Sequence, residues 1–172
     1  MAAQTVAPHP VAPPPVATAM FYHLTQKGLD ETLLPILTRA CGQGWRVMIR
    51  SADPALTERL DAKLWLGADD SFLPHGVQGG PHDALQPVLL GAGPITNAAQ
   101  ALFLLSGGEA TEAEAATLHR IWLIFDGANP DAVQAARGQW TRLTGWGLAA
   151  QYWSDATGTW VKKTEKAAPP RP

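Results

Sequence analysis

Short apolar runs recur along the chain, separated by segments whose apolar residues have helical spacing. The run HRIWLIFDG at residues 119–127 is uniformly apolar from Ile121 to Phe125, as expected for a strand buried on both faces of a sheet. Five further runs predict strands, at residues 20–24, 45–50, 87–91, 100–105 and 147–153. Strands buried on both faces are typical of a parallel sheet enclosed by helices.

A first helix is predicted after the strand at 20–24, because apolar residues recur at helical spacing from Leu29 to Cys41. Asp30 is a candidate N-cap. Pro35 is tolerated only in the first turn of a helix, where its missing N–H costs little. We therefore expect this helix to begin between residues 31 and 34.

Two further helices have clear start signals. Asp53 before Pro54 and Asn129 before Pro130 each combine an N-cap with proline at the first helical position. Gly145 is the predicted end of the last helix. The intervening segments are expected to be a glycine-rich loop at residues 76–86 and an exposed acidic loop at 107–118, with at most one turn of helix.

The alternation of strands and amphipathic helices predicts an α/β fold with an open, mostly parallel sheet and helices on both faces. Such a fold is Rossmann-like, with three layers. The chain of 172 residues suits one domain, which we place at residues 20–160. Residues 1–19 are rich in Ala and Pro and, like residues 161–172, are expected to form a disordered tail.

Composition narrows the classes of function. Charged residues are 16% of the chain and the net charge is -2, which disfavours direct binding to nucleic acid. No stretch approaches the roughly 20 apolar residues of a membrane span. The single cysteine, Cys41, makes an intramolecular disulfide impossible, which fits a reducing compartment such as the cytoplasm, and it is expected to be a small buried hydrophobe.

The predicted architecture favours a nucleotide-dependent enzyme as a competing class, since ligands often bind at the carboxyl ends of such strands. The required phosphate-binding loops are missing. GQGWRV at residues 42–47 precedes a strand, and GAGPIT at 91–96 follows a strand but lacks a third glycine and has Pro94 where a helix should open. We therefore predict no nucleotide cofactor.

Metal and acid–base chemistry also lack a clear site in the sequence. His75, His82, Asp69, Asp70 and Asp83 share one region, but solvated loop residues are the favoured interpretation. Adjacent aspartates in an extended segment point in opposite directions, so residues 69 and 70 do not form an acid–base pair. They are expected to order the loop before residue 72.

The last helix carries a more informative arrangement. Its inner stripe consists of four residues, Val133, Ala136, Trp140 and Leu143. Arg137 lies at the edge of this stripe, and Arg142 follows on the same helix. An arginine beside an aromatic residue is suited to binding a carboxylate. From the pattern alone, a surface arginine whose stem covers apolar area is the favoured interpretation.

Seven segments in order resemble a known family. They are FYHL at 21–24, GWRVMI at 44–49, LDAKLWLGADDSFLPHG at 60–76, PVLL at 87–90, RIWLIFDG at 120–127, ARGQW at 136–140 and TGTW at 157–160. A helix ending in Leu-Trp, followed by Ser-Phe-x-Pro-His, is the most specific of them. From about Phe21 to Trp160 the chain is similar to the chi subunit of bacterial DNA polymerase III.

The resemblance implies a non-catalytic subunit that bridges two partners in DNA replication. One is the psi subunit of the clamp loader, and the other is the acidic C-terminal tail of the single-stranded DNA-binding protein, so that DNA is bound only indirectly. For psi, and for accessory helicases that compete with it, the resemblance implies contacts from Trp65, Phe72, Pro74 and His75.

For the tail, the resemblance implies a site at the last helix, consisting of Arg137, Trp140, Thr141, Arg142 and Thr157. The arginine at 137 would hold the terminal carboxylate, and the tryptophan would line an apolar pocket where the family often has tyrosine. The family often has basic residues at positions 133 and 141, which are Val and Thr here. The arginine at 142 is the candidate compensation.

Overall fold

The computed structural model describes residues 17–67 and 72–170. Within these residues one sheet contains eight strands, β1 Thr18–Leu24, β2 Val47–Ser51, β3 His75–Val77, β4 Val88–Gly91, β5 Ala101–Leu105, β6 Arg120–Asp126, β7 Ala149–Ser154 and β8 Val161–Lys166. The helices of the same residues are α1 Leu29–Gly42, α2 Pro54–Trp65, α3 Glu112–Ala115 and α4 Pro130–Gly145.

The strands lie in the order β3-β4-β2-β5-β6-β1-β7-β8. Neighbouring strands are parallel except for β7 and β8, which are antiparallel. The prediction of an open, mostly parallel sheet is confirmed.

The sheet separates two hydrophobic cores. On β6, Leu123 belongs to the core that includes Leu143 of α4, whereas Ile124 belongs to the core that includes Leu33 of α1. This alternation follows from the two-residue period of a strand, whose successive side chains point to opposite faces. Helices α1 and α2 therefore cover one face, and α3 and α4 cover the other, as the three-layer prediction required.

The predicted caps of α2 and α4 are confirmed, but the predicted start of α1 is wrong. Helix α1 begins at Leu29 after the N-cap residue Gly28, so Pro35 lies inside the helix rather than in its first turn. Pro35 is exposed, which lets solvent reach the backbone that its ring disrupts. Asp30 does not cap the helix, because its carboxylate binds Arg59 of α2 at 2.8 and 2.9 Å.

Two predicted loops differ from their predictions, one in secondary structure and the other in burial. The glycine-rich segment includes β3, a three-residue strand that pairs with β4 and is too short for a recognisable pattern. The acidic segment contains α3, and its description as exposed is wrong for Ala110, Ala115 and Leu118, which are buried. The apolar side of this segment covers part of the sheet.

Both predicted tails are partly folded. Residues 18 and 19 belong to β1, and Ala17 is buried. Residues 161–166 form β8 and not a loose tail, because they satisfy the free backbone edge of β7. Residues 1–16 lie outside the described residues. No helix of the described chain is both long enough and apolar enough to cross a membrane.

Candidate functional site

The end of α2 presents an exposed aromatic patch, defined here as Trp65, Leu66 and Phe72. Their exposed fractions are 59%, 80% and 52%. The rings of the tryptophan and the phenylalanine lie 5.5 Å apart between centroids. Pro74 is also exposed. Large apolar side chains grouped on a surface are typical of a protein interface.

His75 lies beneath this patch and is not a solvated loop residue, contrary to the prediction. Its side chain has 0% exposure, and its ring centroid lies 4.8 Å from that of Trp65. The Nδ1 atom is 2.6 Å from the carbonyl oxygen of Leu73. The Nε2 atom is 3.4 Å from Asp61 Oδ1 and makes no hydrogen bond with any described residue. The imidazole therefore supports the aromatic patch from inside.

Of the other candidate residues in this region, the described His82 and Asp83 do not join His75. His82 is exposed, and Asp83 accepts hydrogen bonds from the backbone N–H groups of Gly79 and Gly80. Asp69 and Asp70 lie outside the described residues, so their role in the loop stays a prediction. In the part of the chain that the structure describes, no three His, Cys, Asp or Glu side chains form a group that could hold a metal ion.

A second surface lies where α4 packs on β7, and we define the α4–β7 surface as Arg137, Trp140 and Tyr152. Trp140 is half-buried, with its ring edge-on to Phe21 at 5.2 Å and 6.3 Å from Tyr152. The Tyr152 hydroxyl is hydrogen-bonded to His23 Nδ1 at 2.7 Å. Burial raises the pKa of Tyr152, and the positive charge of Arg137 partly offsets that rise. An exposed guanidinium and a half-buried aromatic face therefore adjoin.

The structure divides the predicted tail site. Arg142 lies about 140° around the helix from Arg137, since each residue of an α-helix turns about 100°. It binds Glu109 at 2.9 Å on the other flank of α4, so it does not compensate for missing basic residues beside Arg137. Thr141 is exposed and donates its hydroxyl to the carbonyl of residue 137. Thr157 lies in the turn between β7 and β8, where its hydroxyl contacts Thr159 O at 3.4 Å.

The flank of α4 that carries Arg142 borders a cavity of about 380 Å³ that the sequence did not reveal. It lies at the carboxyl ends of β1, β5 and β6, beside α4. Gln139 lines this cavity and donates to Gly108 O at 3.1 Å. At its rim, the N–H groups of Asp131 and Ala132 donate to Asn129 Oδ1. The start of α4 is thus capped by its own side chain rather than open to a phosphate.

Arg50 lines a neighbouring cavity, and its guanidinium donates four hydrogen bonds to protein partners. It is buried, pairs with both carboxylate oxygens of Glu114 at 2.9 and 2.6 Å, and donates to the carbonyls of Gly93 and Glu109. The hydrogen bonds from Arg50 are the main reason that the pKa of Glu114 falls to about 2. This pair holds β2 to α3, and it explains why the acidic segment is ordered.

Asp155 fixes the carboxyl end of β1 to that of β7. The residue is fully buried, and its carboxylate accepts the hydroxyl of Thr25 and the N–H groups of Thr25, Gln26 and Lys27 at 2.5–3.1 Å. Burial raises the pKa of Asp155, but these hydrogen bonds outweigh it and lower the pKa to about 2. The arrangement positions the turn that carries Thr157. Both carboxylate oxygens of Asp155 are engaged in these hydrogen bonds.

Comparison with protein families matches residues 17–151 to the DNA polymerase III chi subunit, HolC. Comparison with curated proteins gives no match. The matched residues include the aromatic patch at the end of α2 and the whole of α4. They stop within β7, so Thr157 and β8 lie outside them. Because the match covers well over half of its length, this chain belongs to the family of DNA polymerase III chi subunits.

Proposed function

We propose that the protein is a non-catalytic accessory subunit that joins two partners of the replication machinery in the cytoplasm. The α4–β7 surface binds the acidic C-terminal tail of the single-stranded DNA-binding protein, and the aromatic patch binds the psi subunit. The observation that carries the proposal is the exposed Arg137 beside the half-buried Trp140, within a chain of the chi family.

The α4–β7 surface has the chemistry that a peptide C-terminus requires. No carboxylate of the described residues pairs with Arg137, so its guanidinium is available for a terminal carboxylate. Trp140 and Tyr152 provide an adjoining aromatic surface for the last apolar side chain of the tail. Capture of a C-terminal carboxylate together with its side chain is an established mode of peptide recognition.

The aromatic patch has the chemistry of a protein interface. Trp65 and Phe72 are each more than half exposed, and the buried imidazole of His75 holds the tryptophan from below. Clustered aromatic side chains contribute much of the binding energy of protein interfaces. The same patch serves accessory helicases that compete with psi. His75 contributes by positioning the patch, since its own side chain is buried.

Calorimetry with a synthetic acidic peptide ending in Asp-Phe-Pro-Phe tests the tail site. We expect Arg137→Ala to weaken binding at least about tenfold, which corresponds to about 1.4 kcal/mol, because the carboxylate loses its charged partner. Arg142→Ala is the matched control, since it removes an arginine from the same helix on the opposite flank. Equal losses in the two variants, or unchanged binding in Arg137→Ala, would contradict the proposed site.

Phe72→Ala separates the two partners in the same set of measurements. We expect this variant to weaken binding to purified psi and to leave the affinity for the acidic peptide unchanged, because Phe72 belongs to the aromatic patch at the end of α2. Arg137→Ala should behave in the opposite way. A variant that loses both partners together would instead indicate a general loss of folding.

A further inference from the structure

The edge strand β8 borders the α4–β7 surface. Its register with β7 places Thr164 opposite Tyr152 and Lys166 opposite Ala150. Residues directly opposite each other in an antiparallel pair project on the same face of the sheet. Tyr152 and Ala150 belong to the core that α4 covers. Thr164 and Lys166 therefore lie on the α4 side, next to the α4–β7 surface.

The other lysine of known register on β8 lies on the opposite side. Lys162 is opposite Trp153, which follows Tyr152 and so projects on the face that α1 covers. An irregularity in the register between residues 152 and 153 brings Lys162 and Glu165 together as an ion pair. Lys166, in contrast, pairs with no carboxylate of the described residues and is exposed.

We propose that β8 forms one wall of the tail-binding site and that Lys166 binds the acidic residues upstream of the terminal carboxylate. This inference rests on the proposed function of the α4–β7 surface. Arg137 supplies a cation for the end of the tail, and Lys166 supplies a second cation on the same face of the sheet. An acidic peptide is complementary to two cations that flank an aromatic surface, whereas a basic or neutral segment is not.

The spacing of charges in the peptide fits this arrangement. In an extended peptide each residue spans about 3.3 Å, so an aspartate three residues before the terminus lies roughly 10 Å from the terminal carboxylate. Lys166 lies two residues, or about 7 Å, along β8 from the position opposite Tyr152. The flexible stem of a lysine side chain can span the difference of about 3 Å between these two lengths.

Lys166→Gln and Lys162→Gln form the matched pair of variants for this inference. Both neutralise one exposed lysine of β8, but on opposite faces of the sheet. We expect Lys166→Gln to weaken binding of the acidic peptide about threefold at 50 mM salt and to reduce the salt dependence of the affinity. Lys162→Gln should bind as the unaltered protein does. A peptide whose upstream aspartates are replaced by asparagine should not distinguish the two variants.

The outcomes separate this inference from the proposed function. Failure of the unaltered protein to bind the acidic peptide would overturn the proposed function, and the inference with it. Binding that Arg137→Ala weakens but Lys166→Gln does not would overturn the inference alone. Equal weakening by Lys166→Gln and Lys162→Gln would also overturn it, since the effect would then be one of net charge. Unfolding curves of both variants show whether β8 is retained.

Discussion

At the scale of single residues, Asp155 is a buried carboxylate that accepts four hydrogen bonds from residues 25–27. Asp155→Asn removes the negative charge and one acceptor oxygen, which leaves backbone N–H groups of residues 25–27 without their acceptor. We expect the free energy of unfolding to fall by about 2 kcal/mol or more, measured by urea denaturation at pH 7. Asp131→Asn, at an exposed acidic residue of the first turn of α4, is the control and should change it by less than about 1 kcal/mol.

The same residue makes a contribution to stability that depends on pH. Its pKa of about 2 in the folded protein lies below the ordinary value of about 3.9 for aspartate. The contribution is therefore complete above pH 4 and is lost as pH falls toward 2. Glu114, whose pKa is also about 2, titrates over an overlapping range. The difference between the unaltered protein and Asp155→Asn isolates the contribution of Asp155, and it should shrink between pH 4 and pH 2.

The residues that the sequence predicted and those it missed differ in how local their partners are. Asn129 and Asp53 were predictable because a cap and the N–H groups it binds lie two or three residues apart. The partners of Asp155 lie 128–130 residues away, and those of Arg50 up to 64, so no local pattern marks either residue. The burial of His75 was missed for the same reason, since it depends on how α2 and β3 pack.

At the scale of elements, Pro35 provides a test of α1. A proline inside a helix removes one backbone hydrogen bond and clashes with the preceding turn. We expect Pro35→Ala to raise the free energy of unfolding by about 2 kcal/mol, because alanine restores the hydrogen bond and has the highest helix propensity. Urea denaturation measures the change. An unchanged free energy of unfolding would indicate a helix that begins between residues 31 and 34, as the sequence pattern predicted.

The elements that were predictable are those with a strong repeating pattern. Strands β1, β2, β4, β5 and β6 have apolar runs because both of their faces are buried, whereas β7 contributes only to the core that α4 covers. The pattern of the chain predicted all six. Strand β8 has the sequence VKKTEK and is exposed along its whole length, so its hydrophobicity predicts no strand. Its position is set by the free edge of β7, which is a property of the sheet rather than of the segment.

At the scale of the whole molecule, the two flanks of α4 face different surroundings. One flank adjoins β7 and presents Arg137, and the other borders the cavity and presents Arg142. The pattern of the sequence predicted the three-layer fold. The resemblance to the chi family implied the aromatic residues at the end of α2 and the site at α4. The five-residue spacing alone places Arg137 and Arg142 about 140° apart on a helix, but which of them adjoins β7 depends on which strands lie beneath each side of α4.

The edge strand β8 both pairs with β7 and borders the α4–β7 surface, so removing it tests its contribution to stability and to the proposed tail binding. A chain that ends after Trp160 lacks β8 and leaves one backbone edge of β7 unpaired. We expect its unfolding free energy to fall by about 2 kcal/mol and its tendency to self-associate to rise, because exposed strand edges pair with one another. Urea denaturation and sedimentation velocity measure the two effects. A chain that ends after Lys166 retains β8 and is the control, which should match the unaltered protein in stability and in self-association. Because β8 carries Lys166, the shorter chain should also bind the acidic peptide more weakly, and equal behaviour of the two chains would show that β8 serves neither purpose.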